Sequence, residues 1–306
     1  MESKSSIRRN GMVYDSAARV DALKVRGVSV SFSDLAEDFP DDKVPYLDKA
    51  NVDESTLTPL QRDWRRDGFV VVQNFLSDDI IAEYNELRSS LQLGKKHFAN
   101  FTPYLDHDVI RRMTLNDRIQ SVLKELLFQD MGLHFILTAY HSTERGWHQD
   151  DYLNPDYVFS NYCAVWFALD DISPDVGPFE FVPGSHKWPC VRRSRVQALL
   201  ADEFANQTNL EKDGGHWAQY AEIFTNEAYA SEIERRGLPI RRFLGNKGDI
   251  LIWHGKLVHR GAPPNNPLLE RRAMISHFSG TTVRRDIGED VRRYGENGCH
   301  YWHFER

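Results

Sequence analysis

The sequence predicts a mainly β fold, a barrel or double-sheet core with flanking helices packed outside it. Two observations carry this. Beyond residue 132 the chain breaks into short apolar runs, "LHFILTAYH", "NYCAVWFALDDI", "FEFVPG", "GDILIWH" and "RRAMISHF". They are rich in aromatic and β-branched residues and separated by Gly- and Pro-containing turns, which is how strands read. Before residue 132 the apolar residues instead recur at helical spacing. Helices first and strands later place the helices around a β core.

Taken in order, residues 1–57 are polar with scattered apolar positions and read as an N-terminal extension to a main domain at 58–306. The domain opens at "DWRRDGFVVVQNFLS", where Gly68 breaks a helical stretch and "FVVV" reads as a buried strand. Ser77 caps a helix over "DDIIAEYNELRSSL", with Ile80, Tyr84, Leu87 and Leu91 on one stripe. The two acids at its start suit the positive end of the helix dipole. A second helix follows Asn116 and turns Ile119, Val122, Leu123 and Leu126 inward. The strands come next, interrupted at about 191–243 by a polar, mostly helical stretch containing Gly214 and Gly215. An insertion of that size between strands reads as a lid-like outer layer.

The 306 residues, 41% hydrophobic and 27% charged, suffice for a substantial core. The net charge is −7 and the pI about 6.0, with no basic stripe, which argues against a nucleic-acid partner. No apolar run approaches the roughly 20 residues that cross a bilayer, so no membrane partner is expected. The opening "MESKSSIRRNGMVY" lacks the apolar segment of a secretory signal. Three scattered cysteines, Cys163, Cys190 and Cys299, form no disulfide framework. A reducing, cytoplasmic setting is the natural expectation.

"WHQDDYLNP", residues 147–155, is too polar for an ordinary core strand and too aromatic for an ordinary solvated loop. If 147–151 end a strand, His148 and Asp150 share one face and Gln149 takes the other. An imidazole and a carboxylate on one face need one more histidine to complete the two-His, one-carboxylate set of non-haem Fe(II) oxygenases. "GDILIWHGKLVHRGAPPNN" offers His259, at the end of an apolar run, with His254 as competitor. An HxD triplet or a single histidine carries little alone. An arginine adds weight, because such centres commonly use 2-oxoglutarate, whose distal carboxylate a guanidinium binds through paired hydrogen bonds. Arg271 and Arg272 open the strand "RRAMISHF". Strand parity does not choose between them, and a solvated basic pair is the plainer alternative.

Taken together, these segments resemble the phytanoyl-CoA dioxygenase family of Fe(II)/2-oxoglutarate-dependent oxygenases. "WHQD" is similar to its proximal ligand motif, and "NYCAVWFALDDISPDVGPFEFVPGSHKWP" to its next signature. "NKGDILIWHGKLVHRGAPPN" resembles the distal-histidine segment, "RRAMISHF" the arginine strand, and "DGFVVVQNFLSDDIIAEY" the N-terminal strand and helix. The likeness spans roughly residues 60–280, with the motifs in family order. It implies a double-stranded β-helix, a cupin-like jelly roll. It implies metal ligands and catalytic residues His148, Asp150 and His259, with Arg271 holding the C5 carboxylate of 2-oxoglutarate. Trp166 matches a tryptophan beside the co-substrate, with a plain core role as the alternative. The cofactor set implied is Fe(II), 2-oxoglutarate and O2.

The family's lysine upstream of HxD has no clean counterpart, and Thr138, Tyr140 and His141 stand in that region. Gly261 stands where a serine is common. His186 in "PGSH" reads as part of a structural turn. With a carboxylate at 150, the resemblance implies hydroxylation of a small-molecule substrate rather than halogenation. Arg192, Arg193, Arg195, Arg235, Arg236, Arg241 and Arg242 in the insertion read first as a solvated face and second as a reason to expect an anionic substrate. Asp151, Tyr152 and Asn154 are candidate pocket residues. A zinc-dependent hydrolase and a non-catalytic ligand-binding barrel are the other classes that two histidines and a carboxylate allow.

Overall fold

The computed structural model describes residues 8–9, 12–13, 30–204, 217–288, 290–295 and 298–304. Most of 1–29, and residues 205–216 with Gly214 and Gly215, lie outside the described residues. The principal strands are β1 (Phe69–Val72), β2 (Met131–Leu137), β3 (Tyr162–Ala168), β4 (Phe179–Phe181), β5 (Arg241–Phe243), β6 (Ile250–His254), β7 (His259–Gly261), β8 (Ala273–Gly280), β9 (Val291–Tyr294) and β10 (Cys299–Trp302). The principal helices are α1 (Pro59–Asp67), α2 (Asp78–Ser90), α3 (Asp108–Thr114), α4 (Asp117–Leu127), α5 (Arg193–Phe204) and α6 (Trp217–Arg236).

Seven strands form one sheet in the order β9-β10-β2-β8-β3-β6-β1, and three form a second, β7-β4-β5. The pairings are antiparallel except β10 against β2, so the large sheet is mixed, and neither sheet closes on itself. This is the double-sheet, mainly β architecture that the strand texture predicts.

The central strands are buried on both faces, and their parity sorts the core. Along β3, Cys163, Val165 and Phe167 join the cluster under the helices, whereas Ala164, Trp166 and Ala168 face the second sheet. In β6, Ile250 and Ile252 take the helix side and Leu251 and Trp253 the inner side. β8 follows suit, with Met274 and Phe278 outward and Ala273 and Ile275 inward. The period of two thus assigns residues to the inter-sheet space before any contact is considered.

Outside, α1 begins with a capping box between Thr58 and Gln61 and stops at Gly68. "FVVV" forms β1 at an edge of the large sheet, and only Val70 in it is buried while Val71 is 40% exposed. The edge position explains the half-burial. Helix α2 is present and most of its expected stripe packs inward, with Ile80 and Leu87 half-buried against the helix-side cluster. Ile81, Tyr84 and Arg88 are buried, whereas Leu91 lies beyond the last turn and is exposed. Arg88 can be inside because its guanidinium donates to the carbonyls of Thr138, Gly94 and Lys96 and packs on the Tyr140 ring. Helix α4 follows the Asn116 cap with Ile119, Leu123 and Leu126 inward, as its spacing predicts.

The described part of the N-terminal segment packs on the domain. Leu47 is fully buried in the helix-side cluster, and Phe32 and Leu35 join α5 and α6 in a third cluster that includes Trp147 and Tyr152. No helix among the described residues is long and apolar enough to cross a membrane.

Gly68 tests this account. It caps α1 at φ +78°, and a Cβ there would come within 2.4 Å of the His186 ring. The expected outcome for Gly68→Ala is a loss of about 1–3 kcal/mol of stability, read from urea denaturation midpoints.

Candidate active site

A cavity of about 560 Å3 opens between the two sheets. That volume suits a small molecule or two. Three of its lining residues are His148, Asp150 and His259. They are brought together by a reciprocal backbone pair: His148 N–H donates to His259 O at 3.0 Å, and His259 N–H to His148 O at 2.9 Å. The stretch 147–151 is therefore not the end of a long strand, as its alternation suggests. It makes one bridge and then turns into a 3-10 helix over Asp150–Leu153. The expected split of faces still follows. Gln149 points away and accepts hydrogen bonds from Val191 N–H and the Tyr229 hydroxyl of α6.

Ligand-type atoms of the three residues lie within 4.8 Å of one another. Asp150 Oδ1 is 3.5 Å from His148 Nε2 and 3.6 Å from His259 Nε2. Each imidazole has its Nδ1 on a backbone carbonyl, Gly146 O at 2.7 Å for His148 and Leu257 O at 2.8 Å for His259. An Nδ1 that donates to a carbonyl leaves the Nε2 lone pair facing Asp150, which is the tautomer a metal ligand needs. Burial pushes the His148 imidazole down to about 3 and that of His259 downward as well, so both are neutral. Burial also works to raise the Asp150 carboxyl. Beside the two imidazoles the group is nonetheless held below the usual range and stays ionised. Trp253 Nε1–H donates to the other Asp150 oxygen at 2.9 Å and further favours the carboxylate. Two neutral imidazoles and a carboxylate, all with donor atoms facing one point, fit a divalent metal ion.

His254, the competing histidine, faces elsewhere and pairs with Asp48 at 2.8 Å. His186 is buried against Arg65 O and Gly68, away from the triad.

The two arginines of "RRAMISHF" separate cleanly. Arg272 is partly exposed and paired with Glu270. Arg271 is buried, lines the cavity and lies over the Trp166 ring with its guanidinium carbon 4.6 Å from the centroid. Its Nη1 donates to Gly177 O at 3.1 Å, its Nε has no partner, and no acidic group among the described residues answers it. Burial pushes this guanidinium down to about 9. A buried cation without a counter-charge is costly, and an anion in the cavity would relieve it. Trp166 is fully buried beside it with an unpartnered Nε1.

Thr138, Tyr140 and His141 do not line the cavity. The Thr138 hydroxyl serves Phe98 N–H, Tyr140 hydrogen-bonds to Asn85, and the His141 ring sits near Lys95 O. Gly261 does line it, together with Thr143. A Cβ at 261 would stand 2.6 Å from the Thr143 hydroxyl, so that hydroxyl occupies the space a serine at 261 would claim.

Of the insertion arginines, Arg192 and Arg195 pair with Glu37, Arg235 and Arg236 with Glu232, and Arg242 with Glu180. Among the described residues none of 191–243 lines the cavity. Helix α6 instead backs the segment before the triad: Glu222 pairs with Arg145, and Asn226 fills the space beside Gly146.

Sequence reasoning missed several wall residues. Arg145 lines the cavity, as do Tyr162 and His277, joined hydroxyl to Nδ1, and Arg284. His277 was findable, since it continues the alternate positions Ala273 and Ile275 that face the second sheet along β8. Asn154 lines the cavity as proposed, whereas Asp151 serves Ser160 N–H and Cys190, and Tyr152 is packed under α6.

Comparison with known proteins agrees with this geometry. The family model described as phytanoyl-CoA dioxygenase matches residues 92–273. A phytanoyl-CoA dioxygenase domain-containing protein 1 homolog of Caenorhabditis elegans is 29% identical over 170 residues, 54% of this chain and 52% of that protein. The chain thus spans about half the length of that relative. Its counterpart in Caenorhabditis briggsae is 20% identical over 261 residues, 67% of this chain and 84% of that protein. Among solved structures, EctD from S. alaskensis in its apoform superposes with a TM-score of 0.56 at 16% identity, covering 84% of this chain and 89% of that one. The epimerase SnoN in complex with Fe3+, alpha ketoglutarate and nogalamycin RO gives 0.52 at 19% identity, covering 75% and 86%. At these identities the likeness is one of fold, the double-stranded β-helix.

Trp253→Phe keeps most of the packing and removes the donor to Asp150. Its expected effect is a roughly tenfold or greater fall in divalent-metal affinity, measured by competition with a chromophoric chelator.

Proposed function

The chain belongs to the phytanoyl-CoA dioxygenase family, and from that premise we propose that it is an Fe(II)- and 2-oxoglutarate-dependent dioxygenase that hydroxylates a C–H bond of a small-molecule substrate. One observation carries this reading. Two neutral imidazoles and a carboxylate converge in the same cavity as a buried arginine that has no acidic partner. A metal ion held by His148, Asp150 and His259 would supply, with 2-oxoglutarate and O2 as co-substrates, the oxidising chemistry, with succinate and CO2 as co-products.

The residues divide the rest of the work. His148, Asp150 and His259 hold the metal, and their carbonyl and Trp253 contacts fix the tautomers and the charge they present. Arg271 takes the C5 carboxylate of 2-oxoglutarate, converting an unpaired buried cation into a paired one. Trp166 walls that end, and Thr143 supplies a hydroxyl beside it. Depth in the inter-sheet space keeps bulk water from the reacting groups. Residues 58–306 form the catalytic domain in this reading. The insertion at 191–243 acts as a brace, because α6 fixes residues 145–149 from behind. A hydrolytic zinc site could use such an arginine as well, and it is the family membership that favours the oxygenase reading.

The expected result for the purified protein is Fe(II)-dependent formation of succinate from 2-oxoglutarate, followed by mass spectrometry. Asp150→Ala removes it. Arg271→Gln raises the KM for 2-oxoglutarate roughly ten- to hundredfold, the worth of hydrogen bonds to a charged group. An Arg271→Gln protein with unaltered KM would refute the assignment.

A further inference from the structure

The two ends of the cavity differ in how their charges are met. At one end Arg271 has no acidic partner among the described residues. At the other, both guanidinium groups that reach the cavity are already answered. Arg284 makes two hydrogen bonds to Asp286, at 2.9 and 2.8 Å, and Arg145 pairs with Glu222. What is left unanswered there is uncharged. Asn154, 6% exposed, has a side-chain nitrogen with no partner, because its Oδ1 accepts from Arg284 Nη1 at 2.9 Å. That bond fixes the amide orientation, since the reverse would set two donors against each other. His277, 8% exposed, has an unpartnered Nε2. Both residues line the cavity, with the two nitrogens themselves covered in its wall, so a ligand reaches them only by a small shift of the ring and the amide.

The proton on His277 can be placed. Its Nδ1 meets the Tyr162 hydroxyl, which has no other hydrogen-bond partner among the described residues. Burial pushes that phenol well above its usual range, so it keeps its proton. A phenol is a stronger acid than a neutral imidazole N–H, so Tyr162 donates and the ring proton sits on Nε2. Two neutral donors, Nε2–H and the Asn154 amide, therefore share this end with the apolar walls Phe135, Leu153, Ile287 and Phe304.

We propose that this end of the cavity takes an uncharged substrate with a largely hydrocarbon body and an acceptor oxygen, such as a ketone, ester or ether, bound by His277 Nε2–H and Asn154 Nδ2–H. This class stands against the anionic substrate that was the second reading of the insertion arginines, because an anion at this end finds no unpaired guanidinium among the described residues. The inference rests on the proposed function for the use of the Arg271 end by 2-oxoglutarate.

The test uses three probes of one size: acetophenone, ethylbenzene and benzoate. Each is titrated by ligand-observed NMR against the Zn(II)-loaded protein saturated with 2-oxoglutarate, which blocks Arg271. Acetophenone is expected to bind about tenfold more tightly than either of the others, the worth of one or two neutral hydrogen bonds. His277→Phe and Asn154→Leu each reduce that advantage and leave ethylbenzene unchanged. His277→Gln, which retains an N–H, keeps most of it. Tighter or equal binding of benzoate overturns the proposal. So does equal binding of acetophenone and ethylbenzene, failure of acetophenone to bind, or a ketone preference that survives both substitutions together. Calorimetry with 2-oxoglutarate separates the two readings. A ketone preference with no 2-oxoglutarate binding supports the donor-lined substrate end and sinks the oxygenase assignment.

Discussion

The two hydrogen bonds between the backbones of His148 and His259 are the constraint on which the site depends. They tie a loop to a short strand that lies far along the chain, and so decide where both imidazoles start. The rings end 4.2 Å apart between centroids, close enough that two charged forms would repel. Each Nδ1 is spent on a carbonyl within its own segment. Asp150 enters the same space only because the chain turns into a 3-10 helix immediately after the bridge. A continued strand would carry it onward along the sheet. Backbone geometry, rather than side-chain attraction, thus assembles the three groups before any ion arrives.

Around this point the protein distributes charge unevenly. Nearly every arginine near the core has a carboxylate: Arg145 with Glu222, Arg284 with Asp286, and Arg242 and Arg260 with Glu180. Arg271 is the exception among those that line the cavity. Truncating one partner of a buried ion pair leaves a charge stranded at a cost of about 3–5 kcal/mol. Arg271 stands in that stranded condition in the folded chain, so its local structure is held by the rest of the fold. Its anchors are the Trp166 face and the Gly177 carbonyl. A site of this kind gives up stability for an affinity that appears only when the anion is present.

Much of this was legible in the sequence, and the limits have physical causes. The period of two in "NYCAVWFAL", "GDILIWH" and "RRAMISHF" sorts residues between faces without reference to partners, but it does not choose between Arg271 and Arg272. The roles expected of Trp166 and Arg271, and of His259 over His254, came from the family resemblance. On helix α2 the expected stripe of Ile80, Tyr84 and Leu87 packs inward, but Arg88 beside it was passed over because an arginine satisfied by three carbonyls reads as polar. The insertion arginines are paired with carboxylates, as the first of their two readings expects, but which carboxylates was hidden, since Glu37 and Glu180 lie far away in sequence. Thr143 beside Gly261 escaped notice because a hydroxyl from one loop fills a gap left in another. Pairings between distant segments are what a single sequence conceals.

The cavity walls come from separate parts of the molecule. The triad, Trp166 and Arg271 belong to the loop before β3 and to β3, β7 and the start of β8, whereas Arg284, Ile287 and Phe304 follow β8, around the β9–β10 hairpin at the far edge of the large sheet. That hairpin joins the sheet through the parallel contact of β10 with β2 and makes no strand pairing with β3, β6 or β7. Part of the wall is thereby carried by a module separate from the one that holds the triad and Arg271, so substitutions around the hairpin can reshape the space beside Asn154 and His277 without displacing the three converging groups.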